Sequence, residues 1–290
     1  MGRRMSSTSS VPQTGPAAGG LLAEPRFELM PFDSMEGQLD HLPDGATVAI
    51  TASPSLGLDA TVDWSVQAAE QGYEVVPHVA ARYVEDDEHL DEVLSRLAEA
   101  GVTDVFIPGG DREEAIGEFE SSHDLLTAMD RLGHEFDDVG ITGYPEGHDF
   151  ISDETLAEVM DKKAPYATYV TTQLCYDPET ILRWIETIRD RGIDLPVEIG
   201  IPGVMKYQKL LKISRKVGVG DSIRFLQKTS GITGFIKQFI RSRGKFSPDE
   251  LVDELDPYYQ DAEYNLRGLH VYSFNQVPDT ETWREDRLNN

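Results

Sequence analysis

A chain of 290 residues can hold one large domain or two ordinary ones, and its 52 Asp+Glu against 26 Lys+Arg leave a formal charge of −26. Such a field repels nucleic-acid phosphates and anionic lipid, so neither is expected as a partner, and it reads as a solvated acidic shell suited to high salt, where a Debye length of about 3 Å at 1 M suppresses self-repulsion. The single cysteine, Cys175, excludes an internal disulfide framework and a cysteine-based zinc site, and no apolar run approaches the roughly 20 residues that span a bilayer, so a cytoplasmic protein is expected.

Residues 1–22 are rich in Ser, Pro, Gly and Thr and read as a disordered tail, since Arg3-Arg4 is not followed by the apolar core of an export signal. Residues 23–290 are expected to form one domain. Within it, short β-branched apolar runs alternate with stretches of helical spacing, the pattern of a parallel sheet covered by helices. Strands are predicted at Phe27 to Met30, Thr47 to Thr51, Glu74 to Val79, Asp104 to Ile107, Val139 to Thr142, Thr168 to Thr172, Val197 to Ile201 and Leu269 to Phe274.

Between them, Leu58, Val62, Val66 and Ala69 mark one helix face. Leu90, Val93, Leu94, Leu97 and Ala98 mark another, over Asp87 to Ala100 with Gly101 closing it. Leu125, Leu126, Met129 and Leu132 precede Gly133 in the same way. A further helix opens with Asp177 as N-cap and Pro178 at its first position, buries Ile181, Ile185 and Ile188, and stops at Gly192. Eight such strands predict an α/β fold, a (β/α)8 TIM barrel, with extra helices between Gly218 and Glu254 before the last strand.

In this fold reactive groups gather where the strands end. The candidates there are Glu28, Thr51, His78, Asp111 after Pro108-Gly109-Gly110, then Tyr144, Glu146 and His148, and finally Gln173. Glu28 sits between Phe27 and Leu29, and burial would raise its pKa from about 4.3 toward neutrality and let it act as a general acid. The competing structural reading is a carboxylate salt-bridged at the barrel mouth. Gly110 lets backbone approach a planar ligand, which Asp111 could then engage. No metal site, Rossmann fingerprint, Walker loop or nucleophile elbow is evident.

From Lys206 to Lys245 there are eleven basic residues and a single acid, Asp221. In so acidic a chain this segment either holds an anionic ligand tail, such as a nucleotide phosphate or an oligoglutamate, or serves as an internal counter-charge.

Taken together, Phe27-Glu28-Leu29-Met30-Pro31, Val76-Pro77-His78, Gly110-Asp111, Tyr144-Pro145-Glu146-Gly147-His148, Thr172-Gln173 before Asp177 and Gly268-Leu269-His270-Val271-Tyr272-Ser273-Phe274-Asn275 resemble the methylenetetrahydrofolate reductase family in order and spacing. The resemblance runs over about residues 26 to 276. It implies a (β/α)8 barrel that reduces 5,10-methylenetetrahydrofolate to 5-methyltetrahydrofolate with NAD(P)H, in most members through bound FAD. It further implies Glu28 as the acid that opens the folate ring at N10, Asp111 as a carboxylate near the pterin that stabilises the cationic iminium, and Gln173 as a pterin-binding side chain. Thr51, His78, Gly110, Tyr144, His148 and Lys162 fall on cofactor-contacting positions.

Three positions depart from the flavin-binding pattern. The family's Arg before the Gly-Asp falls on Gly109, and its Asp and Arg before the Lys fall on Thr155 and Asp161. A branch of the family that resembles this chain in these departures passes hydride directly from the nicotinamide, and that route is the one favoured here. The alternatives are a non-catalytic folate- or nucleotide-binding barrel, and a reductase of another methylene-tetrahydropterin using a deazaflavin.

Overall fold

The computed structural model describes residues 20–216 and 245–289. Ten strands occur among them: β1 Arg26–Leu29, β2 Thr47–Ile50, β3 Glu74–Pro77, β4 Asp104–Phe106, β5 Asp138–Gly143, β6 Tyr169–Thr172, β7 Val197–Pro202, β8 Met205–Lys206, β9 Lys245–Phe246 and β10 Leu266–Tyr272. The helices are α1 Glu36–Leu39, α2 Gly57–Glu70, α3 Asp87–Glu99, α4 Ser122–Leu132, α5 Asp153–Lys163, α6 Pro178–Asp190, α7 Tyr207–Lys216, α8 Asp249–Leu255 and α9 Val277–Leu288.

Eight of the strands run parallel in the order β3-β2-β1-β10-β7-β6-β5-β4. A parallel bridge between His78 and Phe106, with Val79 N–H donating to the Phe106 carbonyl at 2.9 Å, joins the two ends and closes a (β/α)8 barrel. All eight predicted strands are present. The short antiparallel ladder of β8 with β9 was not foreseen. It brings the chain back beside β8 after residues 217–244, and the expected extra elements before the last strand include α8. Most of the basic segment lies outside the described residues. Of its flanks, Lys245 pairs with Asp279 at 2.7 Å and Lys209 donates to the Phe274 carbonyl at 3.0 Å.

Residues 1–19 of the expected tail also lie outside the described part. Gly20–Leu22 forms a turn of 3-10 helix whose two leucines are buried, and Arg284 donates to the carbonyls of Leu22 and Ala23, both at 3.1 Å.

Side chains alternate across each strand, so one set faces the helices and the other fills the barrel. On β1, Phe27 and Leu29 join the core under the helices, whereas Arg26 and Glu28 point inward. Inside, Ala49, Val76, Phe106 and Tyr169 make an apolar layer contributed by four different strands. On one side of it lies a charged layer. Arg26 binds the Tyr169 hydroxyl at 2.7 Å, Asp104 at 2.7 Å and Glu198 at 3.0 Å, and Arg267 binds Asp138 at 2.8 Å. A register shift between Leu266 and Gly268 marks an irregularity in β10 at Arg267, whose guanidinium lies over the Tyr169 ring.

The helix faces follow the spacing, with two local differences. Asp177 caps α6 as expected, accepting from the amides of Glu179 at 3.1 Å and Thr180 at 3.4 Å. In α2 the buried face is Leu58, Thr61, Val62, Ser65 and Ala68, turned so that Val66 and Ala69 are only half-buried. Leu132, expected in the core, is exposed at the end of α4, where Gly133 turns the chain away.

Candidate active site

Glu28 is delivered by β1, whose neighbours on either side are β2 and β10. Its carboxyl meets two imidazoles. His270 Nε2 on β10 lies 3.2 Å from Glu28 Oε2, and His78 at the end of β3 stacks toward His270 with ring centroids 6.1 Å apart. Phe106 packs on the other side of His78 at 4.7 Å, and Tyr272 stands edge-on to His270 at 4.8 Å. Gly200 on β7 makes room for Tyr272, since a Cβ there would sit 2.6 Å from its ring. The Tyr272 hydroxyl donates to the Thr172 carbonyl at 3.0 Å.

Charge is expensive in this pocket. Burial pushes the Glu28 carboxyl up to about 7, with the neighbouring His78 pulling the other way. Burial likewise pushes both imidazoles down to about 3, so His78 and His270 are neutral at ordinary pH. Glu28 therefore holds its proton into the physiological range while its side chain keeps 11% exposure, which is the combination a general acid requires. The salt-bridged alternative is not what the structure shows: neither partner within reach is a fixed cation. One ligand atom from each of the three groups lies within 4.8 Å of the other two, against roughly 3.4 Å between tetrahedral zinc ligands at bonds of about 2.1 Å.

The other predicted residues occupy the loops that follow the strands. Thr51 is half-buried just beyond β2, and its carbonyl accepts from Thr61 at 3.0 Å. Gln173 is half-buried immediately after β6, and its Oε1 accepts the Leu174 amide at 2.8 Å. Asp111 is exposed in the loop beyond β4 rather than at the strand end, and the Tyr83 hydroxyl donates to it at 2.7 Å. Gly110 has φ +94 and lies against the Tyr83 ring, where a Cβ would come within 3.2 Å. Tyr144 is half-buried after β5 with the exposed His148 edge-on at 5.5 Å. Cys175 is buried past the end of β6, its thiol 3.7 Å from Glu146 Oε1.

Lys162 is exposed on the last turn of α5. The buried lysine is its neighbour Lys163, which donates to Thr142 Oγ1 at 3.2 Å and is held down to about 8 by burial. Lys163 lines a cavity of about 460 Å³ between α5 and α6, together with Tyr144, Glu146 and Trp184. That cavity contains none of Glu28, His78 or His270, so the acid chemistry does not lie there.

His270 is the residue the sequence reading passed over. Its place directly before Val271-Tyr272 on an inward-facing position of the last strand was the available signal, because a closed barrel sets its last strand beside its first.

With this geometry in view, comparison with known proteins is specific. The family model described as Methylenetetrahydrofolate reductase matches residues 35–232. Methylenetetrahydrofolate reductase 1 of Schizosaccharomyces pombe is 26% identical over 196 residues, covering 65% of this chain and 31% of that one. Methylenetetrahydrofolate reductase (NADH) 1 of Zea mays is 26% identical over 204 residues, covering 63% and 30%. A probable methylenetetrahydrofolate reductase (NADPH) of Caenorhabditis elegans is 29% identical over 112 residues, covering 38% and 17%. The chain thus matches about a third or less of the length of these relatives. Glu28 on β1 precedes the matched residues and His270 on β10 follows them, so neither lies within the family match. On the extent of that match, the chain belongs to the methylenetetrahydrofolate reductase family.

Proposed function

We propose that this protein reduces a methylene-tetrahydrofolate to the corresponding methyl-tetrahydrofolate, with NADH or NADPH as hydride donor. The observation that carries the reading is Glu28, a carboxyl buried inside the barrel with its pKa raised to about 7. The names of the maize and nematode relatives, which include NADH and NADPH, support a nicotinamide donor.

In this reaction the Glu28 O–H bond breaks and its proton passes to the N10 amine of the folate. The C–N bond then opens with its electron pair remaining on that nitrogen, leaving an iminium at N5. Hydride from the nicotinamide adds to the iminium carbon. Asp111 supplies negative charge near the cation, Gln173 holds the pterin, and Thr51, His78, Gly110, Tyr144, His148 and Lys162 contact the dinucleotide.

The chain's own residues do not fit a bound flavin diphosphate. Gly109 offers no cation where the family has an arginine, and Asp161 stands where a second arginine is found. The Asp161 carboxylate is already paired with Arg191 at 2.6 Å. Thr155 faces Ser152, 2.9 Å from its hydroxyl, in place of a ribose-binding carboxylate. The proposal therefore passes hydride directly from nicotinamide to folate.

The test is anaerobic turnover of the purified protein with 4-deuterated NADH or NADPH and methylenetetrahydrofolate, followed by mass analysis of the product and a visible spectrum of the protein. One deuterium in the product methyl group from a protein without a flavin band is expected. Folate binding with no turnover would favour a binding barrel, and turnover accompanied by a stoichiometric flavin band would overturn direct transfer.

A further inference from the structure

Glu28 needs a definite orientation to protonate one nitrogen, yet its carboxyl can rotate and either oxygen can carry the proton. Among the described residues its side chain has one hydrogen-bonding neighbour, His270 Nε2 at 3.2 Å from Oε2. The other ring nitrogen of His270, Nδ1, is buried without a protein partner. A neutral imidazole carries one proton. If that proton were on Nδ1, a buried donor would be stranded, and Glu28 would have to spend its own acidic proton on Nε2. With the proton on Nε2, the imidazole donates to Oε2 and the acidic proton resides on Oε1, free for a substrate.

We propose that His270 is the positioning residue for Glu28: its Nε2–H fixes the carboxyl, directs the acidic proton to Oε1, and stabilises the carboxylate left after proton transfer. This rests on the assignment of Glu28 as proton donor. No atoms beyond that proton move, since His270 donates the same hydrogen bond before and after the transfer. His270 is itself held by the barrel, with Tyr272 edge-on at 4.8 Å, His78 at 6.1 Å and Gly200 as its partner in register on β7.

The groups that set the charge around this pair come from several strands. His78 just past β3 and Tyr272 on β10 act on Glu28 or feel its charge, and Arg26 on β1 and Glu198 on β7 act on His270 with opposite sign. From β2, the residues facing Glu28 in register is Ala49, which carries no charge.

The experiment compares the full-length protein with His270→Gln, His270→Leu and His270→Asn. The Gln side chain can bring an amide N–H to the place of Nε2, whereas Asn is too short and Leu has no donor. Two quantities are read: kcat with methylenetetrahydrofolate and NAD(P)H, and the titration midpoint of the Glu28 δ-carbon by 13C NMR, assigned by its loss in Glu28→Gln.

His270→Leu and His270→Asn are expected to lower kcat by roughly 10- to 100-fold with little change in KM. They should also raise the Glu28 midpoint by about one pH unit, because the carboxylate loses its donor. His270→Gln should restore both toward the parent values. If His270→Leu does not fold, the Asn and Gln pair carries the same comparison. An unchanged midpoint in the Leu and Asn variants, or a Gln variant no better than they are, would overturn the proposal. The NMR arm decides this even if the parent protein shows no turnover, an outcome that would instead remove the reductase reading.

Discussion

Ser273 Oγ donates to the backbone carbonyl of Glu28 at 2.5 Å, so the strand that supplies the acid is tied directly to the strand that supplies its imidazole neighbour. Two residues on, Asn275 repeats the link, receiving the Met30 amide at 2.8 Å and donating to the Met30 carbonyl at 3.1 Å. Asn275 does this from a left-handed backbone position, φ +53, that asparagine tolerates better than most residues. Asn275→Gly keeps the backbone comfortable and removes both bonds. It is expected to cost about 1–3 kcal/mol in denaturant unfolding, and to lower turnover because the end of β1 is released. Unfolding curves that superimpose on the parent would show that this link does not hold the seam.

The raised pKa of Glu28 makes function expensive in stability. The native state keeps the proton between about 4.5 and 7, where the unfolded chain releases it, so stability falls as pH rises through that window and the loss is complete above it. A shift of that size corresponds to about 3 kcal/mol. Glu28→Gln should therefore unfold at the same denaturant concentration as the parent near pH 4 and at a higher one near pH 8, while losing activity. A variant less stable than the parent at pH 8 would contradict the raised pKa.

The imidazoles act in the opposite direction. With folded pKa values of about 3 against an ordinary 6.5, His78 and His270 contribute stability that is present above pH 6.5 and lost as pH falls toward 3. Acid unfolding of the parent should begin below about pH 6, and His78→Phe should move its midpoint to lower pH. A midpoint that stays in place would mean that His78 is not held neutral.

Below the apolar layer, Arg26 is satisfied by Tyr169, Asp104 and Glu198 at once, all within 3.0 Å. Arg26→Met leaves Asp104 and Glu198 in the barrel interior short of a cation, which is expected to cost about 3–5 kcal/mol. Arg26→Lys should recover little, because one ammonium cannot reproduce the planar fork. Thermal unfolding of both variants measures this, and full recovery by lysine would show that charge alone is what the site needs.

The net charge of −26 carries its own prediction. Screening should raise the melting temperature by at least about 5 °C between 0.1 and 2 M KCl. A melting temperature that falls with salt would show that surface repulsion is not a leading destabilising force.

Much of this architecture is legible in the sequence because its causes are local. The alternation of Arg26, Phe27, Glu28 and Leu29 gives the inward placement of Glu28, and Asp177-Pro178 gives the start of α6. What was not legible depends on closure. Glu28 and His270 are separated by 242 residues, and only the pairing of β1 with β10 brings them together. The two-residue ladder of β8 with β9 is too short to leave a periodic trace. Between Lys162 and Lys163, adjacent and chemically identical, the choice of which is buried is made by how α5 packs on the barrel, to which spacing alone is blind.

The most direct test of the central claim is the pH dependence of kcat/KM for folate-dependent NAD(P)H oxidation in the parent and in Glu28→Gln. If a protonated Glu28 drives ring opening, the parent should lose activity about tenfold per pH unit above about 7, following the raised pKa. Glu28→Gln should be at least roughly 100-fold slower with no such limb. A Glu28→Gln protein that retains the parent's rate and the same alkaline fall would contradict the account.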